Sequence, residues 1–219
     1  MTPYYADDLI TIYHARCEDV LPDIDPATVD LLLTDPPYGI DYDNRHRGGE
    51  SRYRLDKWTV EGDAEPFDPS HLLTFGRMVL WGGNNFADRL PASGGWLVWD
   101  KTPGEAPTTF ATSNCELAWT RGVATRGIKR FHCRWSRGVR DGEPVLHPTQ
   151  KPVSLMRWVL DAWTEPGDLI LDPYMGSGPV AQACHELGRR YIGIELVEDY
   201  CKVAVSRLRQ QTFDFGGIA

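Results

Sequence analysis

Short apolar runs, punctuated by glycine, proline and acidic residues, recur along this chain and read as buried strands of a parallel sheet. Leu9 to Tyr13 and Val29 to Leu33 are the first two, with a short helix near Glu18 to Leu21 between them. A helix is predicted to begin near Asp68, and strands at Met78 to Trp81, Trp96 to Trp99 and Cys115 to Trp119. The period then changes. Val153, Met156, Val159, Leu160 and Trp163 recur at helical spacing, and Gly167 to Leu171 reads as a turn followed by a strand. Val180, Ala181, Ala183, Cys184 and Leu187 restore the helical period, with Pro179 suited to the first turn and Gly188 to the end. Tyr191 to Ile194 is the last strand, and a final helix from Val197 to about Leu208 places Val197, Tyr200, Cys201, Ala204 and Leu208 on one apolar face. These elements thread onto a single mixed, mostly parallel α/β sheet with helices on both faces.

At 219 residues and 42% hydrophobic, the chain can bury one substantial core and suits one domain better than two. No apolar run approaches the ~18 residues of a membrane span, and Asp7 and Asp8 stand where a signal peptide would be basic and then apolar. Five widely spaced cysteines form no Cys-x-x-Cys pair, so a reducing cytoplasm is expected, without a disulfide framework or a metal site.

A net charge of -8 argues against a nucleic-acid partner until its distribution is considered. From Arg121 to Arg140 the chain carries Arg121, Arg126, Lys129, Arg130, Arg134, Arg137 and Arg140 with no acidic residue, interleaved with Phe131, His132 and Trp135. Arg45, Arg47, Arg52, Arg54 and Lys57 form a second cluster, diluted by Glu50 and Asp56. A basic, aromatic strip on an acidic body suits a reader of nucleic-acid backbone and bases, whereas the second cluster reads equally as a solvated charged face.

Two strand ends carry chemistry. Val29 to Leu33 runs into Asp35-Pro36-Pro37-Tyr38, a carboxylate and an aromatic ring at the sheet edge where α/β proteins bind ligands. A turn is the plain alternative, since Asp, Pro and Gly favour turns for local reasons. Downstream, Asp172-Pro173-Tyr174-Met175-Gly176-Ser177-Gly178 joins strand to helix, and the next strand delivers Glu195. Strand, glycine loop, helix, strand and acid is the arrangement that binds an adenosine ribose. Asp172 would repel a pyrophosphate, so a cationic adenosine ligand fits better, and S-adenosyl methionine is one.

With these motifs and His147-Pro148-Thr149-Gln150-Lys151-Pro152, the chain resembles the amino-methylating DNA methyltransferases, which modify adenine N6 or cytosine N4. The catalytic motif precedes the cofactor motif, the permuted order of the β group, and short phage and prophage orphan enzymes look closest. The resemblance implies a Rossmann-like, S-adenosyl methionine-dependent methyltransferase fold acting on double-stranded DNA. It implies that Asp35 and the Pro36 carbonyl accept hydrogen bonds from the target amino group, and that Tyr38, after Pro37, stacks on the base. It assigns the cofactor to His147, Thr149, Lys151, Asp172, Pro173, Tyr174, Gly176, Gly178 and Glu195, with Thr149 and Lys151 near its carboxylate. Lys101, in Trp99-Asp100-Lys101, is a further site candidate. Where the family usually has Gly-Asp, whose carboxylate contacts the cofactor's adenine, this chain has Ala15 and Arg16, so either cofactor affinity is weakened or another group such as Asp8 or Asp19 serves.

Two acceptors gripping an exocyclic amino group would turn its lone pair toward the methyl donor, and Asp35 would take the proton released. No cysteine follows a proline, so a thiolate-dependent cytosine-C5 reaction is not expected. The target base must leave the stack. Asp at the first motif position leans toward adenine, with cytosine N4 the alternative; a non-catalytic member of the fold is a further reading, motivated by Arg16. Asp41 to Gly62 and Gly122 to Pro144 fit no sheet element and are expected to supply the DNA contacts: Arg45, Arg47, Arg126, Lys129, Arg130, Arg134 and Arg137. So small a footprint implies a recognition site of roughly four to six base pairs, or help from a second copy of the chain.

Overall fold

In the central strands, successive side chains enter different cores, as the two-residue period of a strand dictates. Leu31, Leu33, Val79 and Trp81 belong to one apolar cluster, while Leu32, Met78 and Leu80 belong to another. The computed structural model describes residues 1–40, 61–101, 113–124, 127–133, 135–136, 139–140, 143–144 and 150–214, excepting the side chains of 135–144 and 211–214.

In chain order the elements are β1 (Tyr5–Ala6), β2 (Ile10–His14), α1 (Cys17–Val20), β3 (Leu31–Thr34), β4 (Met78–Trp81), β5 (Gly95–Asp100), β6 (Cys115–Arg121) and β7 (Gly127–His132). Three two-residue strands follow, β8 (Trp135–Ser136), β9 (Val139–Arg140) and β10 (Glu143–Pro144), and then α2 (Val153–Trp163), β11 (Leu169–Asp172), α3 (Pro179–Leu187), β12 (Arg190–Glu195) and α4 (Glu198–Asp214).

One nine-stranded sheet runs β1-β2-β12-β11-β3-β4-β6-β5-β7. The five strands from β2 to β4 are mutually parallel, β6 is antiparallel to both its neighbours, and β7 returns parallel to β5. Apolar side chains of α2, α3 and α4 share one core with the sheet. The opposite face is covered by shorter pieces: Cys17 and Val20 of α1, with Leu72, Phe75 and Phe86. This is the mixed, mostly parallel α/β sheet expected.

Two expectations need correction. No helix begins at Asp68; its carboxylate accepts from the backbone and hydroxyl of Ser70, and Leu72, Leu73 and Phe75 donate three residues back, forming successive turns. Such local side-chain bonds compete with helix formation. Nor does Gly122 to Pro144 stand wholly outside the sheets. Gly127–His132 is the edge strand β7, in register with β5 from Gly95↔Gly127 to Asp100↔His132, and β8, β9 and β10 form a small antiparallel sheet. The edge position explains why β7 does not read as a strand: Gly127 to Arg130 are exposed, so no apolar alternation marks it. Arg121 is structural, donating to the carbonyls of Leu73 and Phe75.

Candidate active site

The strand order reverses between β3 and β11. From β3 the chain moves outward to β4, and from β11 it moves the other way to β12. A crevice opens at such a reversal, beyond the carboxyl ends of the strands. Asp35 follows β3 there, Asp172 ends β11, Trp81 ends β4 and Glu195 ends β12. The antiparallel direction of β6 brings its start to the same edge, where Glu116 lies opposite Trp99. A cavity between β3 and β11 is lined by Asp35, Trp81, Lys151, Asp172, Tyr174 and Gly176, among others.

Asp35 is held through both oxygens. Tyr38 donates its hydroxyl to Oδ1 at 2.6 Å, and Lys151 Nζ donates to Oδ2 at 2.5 Å and to the Tyr38 hydroxyl at 3.0 Å. The Lys151 side chain is only 3% exposed, so its charge needs partners, and Glu116 Oε2 supplies a second at 3.0 Å. Lys101 pairs with the other Glu116 oxygen and lies 5.0 Å from the Trp99 ring centroid. Burial pushes the Asp35 carboxyl above the usual range, against the pull of Lys151. Glu116, between two ammoniums, is held at about 2 despite its burial.

Two residues that no motif marks position this turn. Asp63 accepts from the backbone N–H groups of Tyr38 and Gly39, each at 2.8 Å. Gly82 has a φ of +72°, and a Cβ there would fall 1.9 Å from the Tyr38 ring. Only glycine permits both that backbone and that ring position.

On the β11 side, the Asp172 carboxylate is buried and accepts from Thr34 Oγ1 at 2.6 Å and Tyr191 Oη at 3.2 Å. Burial pushes its carboxyl up to about 7. Pro173 is buried behind it. The Tyr174 hydroxyl is tied to His71 at 2.9 Å and accepts from the Cys17 thiol at 3.3 Å, which joins the glycine loop to α1 and to the 68–75 turns. Gly178, with a φ of +76°, caps α3, and a Cβ there would lie 2.8 Å from Ala204 Cβ. Glu195 accepts from Gly176 N at 2.8 Å and Val197 N at 2.7 Å, which fixes its carboxylate against the loop.

Asp35, Tyr38, Lys151, Asp172, Gly176 and Glu195 therefore meet along one sheet edge, with Pro36 buried in the turn and Pro37 half-buried. Lys151, expected beside the cofactor carboxylate, is engaged with Asp35, Tyr38 and Glu116. Lys129 and Arg130 are exposed on β7. His147, Thr149, Arg45, Arg47, Arg126, Arg134 and Arg137 lie outside the described residues or side chains. Glu116 escaped the sequence reading, although a lone carboxylate in the apolar run from Cys115 to Trp119 was a signal. Arg16 pairs with Glu18 at an exposed 3.6 Å, so no carboxylate of its own occupies that position.

The model of the DNA methylase family matches residues 98–206. The type II methyltransferase M2.LlaDCHI of Lactococcus lactis subsp. cremoris is 25% identical, over 95% of this chain and 92% of its own length. The crystal structure of the M1.HpyAVI–SAM complex has a TM-score of 0.55 at 23% identity, covering 91% of this chain and all of that one. The PvuII DNA methyltransferase, described as cytosine-N4-specific, has a TM-score of 0.63 at 13% identity, covering 94% of this chain and 88% of its own.

Proposed function

Because this chain belongs to the DNA methylase family, we propose that it transfers a methyl group from S-adenosyl methionine to an exocyclic amino nitrogen of a base in double-stranded DNA, with adenine N6 the favoured acceptor. The observation that carries this reading is the doubly held carboxylate of Asp35, one strand from Asp172 across the crevice.

The residues present suit the cofactor. Asp172 offers an anion to its ammonium, and the Glu195 oxygens retain lone pairs for ribose hydroxyls. Trp81 adds a buried indole N–H with no acceptor among the described residues, a donor that a ligand in this cavity would satisfy. When bound, S-adenosyl methionine supplies an electrophilic methyl group.

The remaining chemistry belongs to the chain. Tyr38 and Lys151 fix the direction of Asp35, so that its free lone pairs and the Pro36 carbonyl can accept the two amino hydrogens. The nitrogen lone pair then points at the methyl group, and Asp35 takes the proton released after attack. Burial raises its pKa, which makes the carboxylate a better proton acceptor. Tyr38 stacks on the flipped base, while Lys129 and Arg130 meet phosphates. The adenine preference rests on Asp at position 35, the commoner first residue of this motif in adenine enzymes.

Incubation with methyl-labelled cofactor and mixed-sequence duplex DNA, followed by digestion to nucleosides, tests the proposal. Label in N6-methyldeoxyadenosine supports it in full. Label in N4-methyldeoxycytidine retains the enzyme class and overturns the base, and binding of both partners without transfer indicates a non-catalytic member of the fold.

A further inference from the structure

The contacts of Asp35 do not end at Lys151. Lys151 Nζ stands 2.5 Å from Asp35 Oδ2 and 3.0 Å from Glu116 Oε2, and Lys101 closes on Glu116 Oε1. The order is carboxylate, ammonium, carboxylate, ammonium. The charges balance, and the side chains are 21%, 3%, 20% and 9% exposed in that order, so each ion depends on its neighbours more than on water. Three separate parts of the sheet edge contribute: the turn after β3, the strand β6 and the end of β5, with Lys151 entering from just before α2.

This order bears on methyl transfer because Asp35 must spend lone pairs on the substrate. An ammonium faced by one carboxylate alone is drawn wholly to it, whereas a second carboxylate at ion-pair distance competes for its charge; Glu116 Oε2 does so at 3.0 Å without accepting an aligned hydrogen bond. We propose that Glu116 is a positioning residue for the methyl transfer inferred above: by sharing Lys151 it keeps Asp35 from forming an exclusive ion pair and leaves its oxygens open to the amino group. Lys101 sets the strength of that competition by occupying the second Glu116 oxygen. The inference rests on the proposed reaction, but the ion chain itself can be tested without it.

The groups that act on Asp35 are Tyr38 from its own turn, Lys151 before α2, Glu116 on β6 and Asp172 on β11; Lys101 acts through Glu116. Glu116→Gln keeps the side-chain volume and removes the charge, which draws Lys151 wholly to Asp35. Lys101→Met frees Glu116 to hold Lys151 more closely, which draws it away. The two substitutions must therefore displace the Asp35 titration in opposite directions, down for Glu116→Gln and up for Lys101→Met. A merely structural disturbance would not produce that pairing of signs.

The test is a carbon-13 NMR titration of the Asp35 carboxyl in the full chain and both variants, combined with single-turnover methyl transfer and cofactor binding by calorimetry. Glu116→Gln is expected to lower kcat about 10- to 100-fold, as misplacement of a reacting group does, with cofactor Kd unchanged. Its acid limb should move to lower pH. An Asp35 titration that stays in place, or moves the same way in both variants, overturns the inference, as does a Glu116→Gln kcat within about twofold of the parent. If Glu116→Gln does not fold, the sign of the Lys101→Met displacement decides. If the parent transfers no methyl group, the proposed function fails while the titrations still judge the role of Glu116.

Discussion

Lys151 and Tyr38 hold opposite oxygens of Asp35, at 2.5 and 2.6 Å, and are themselves joined at 3.0 Å. The carboxylate is locked in direction by a triangle of contacts, and each oxygen keeps further acceptor capacity beside the cavity that Asp35 lines. Orientation, more than basicity, is what this geometry supplies to a weak amino nucleophile.

Asp172 gives the site a pH signature. Its folded-state carboxyl is raised from 3.8 to about 7 by burial, so the folded protein binds more protons than the unfolded chain between those values. Its contribution to stability is complete below the unfolded value and is lost as pH rises through about 7. Urea denaturation should show the parent losing stability relative to Asp172→Asn as pH is raised across that window. Cofactor affinity should rise over the same window in the parent, as the carboxylate ionises opposite an ammonium, and stay flat in Asp172→Asn.

Gly82→Ala would set a Cβ 1.9 Å from the Tyr38 ring on a backbone with φ +72°. The strain costs about 1–3 kcal/mol, and the ring must move off Asp35. A lowered Tm is expected, together with a fall in kcat that persists at temperatures where circular dichroism shows the variant folded.

Glu195→Ala removes the acceptor of Gly176 N and Val197 N as well as the proposed ribose contact. Loss of hydrogen bonds to a charged group corresponds to roughly a 10- to 100-fold weaker cofactor Kd, measurable by calorimetry. Affinity for DNA without cofactor should be unchanged.

Lys129 and Arg130 lie exposed on the edge strand β7. Replacing both by alanine should weaken DNA binding alike across unrelated sequences and reduce the salt-dependence slope by roughly 2, one phosphate contact each. An unchanged slope in fluorescence anisotropy would remove β7 from the DNA interface.

The sheet was legible where apolar runs stop abruptly at a carboxylate. Leu31 to Leu33 before Asp35, and Ile170 and Leu171 before Asp172, are buried on both faces and leave their acids at the edge. β7 was not legible because an exposed edge strand needs no apolar alternation, and the turns after Asp68 were hidden because their local bonds depend on atomic geometry. Within the site, Asp35, Tyr38, Asp172 and Glu195 announce themselves through local motifs. Glu116, Asp63 and Gly82 do not, since each acts on a residue distant in the chain: Glu116 on Lys151, Asp63 on the backbone of Tyr38, and Gly82 on the Tyr38 ring. Pairings of that kind exist only once the sheet has formed.

The most direct measurement is transfer of labelled methyl from S-adenosyl methionine to duplex DNA by the parent chain and by Asp35→Ala, at matched folding and matched cofactor occupancy. Label is expected on an amino nitrogen with the parent, with a loss of at least about 10²- to 10³-fold for Asp35→Ala, the scale seen when one transition-state hydrogen-bonding group is removed. Equal transfer by the two proteins would contradict this role of Asp35.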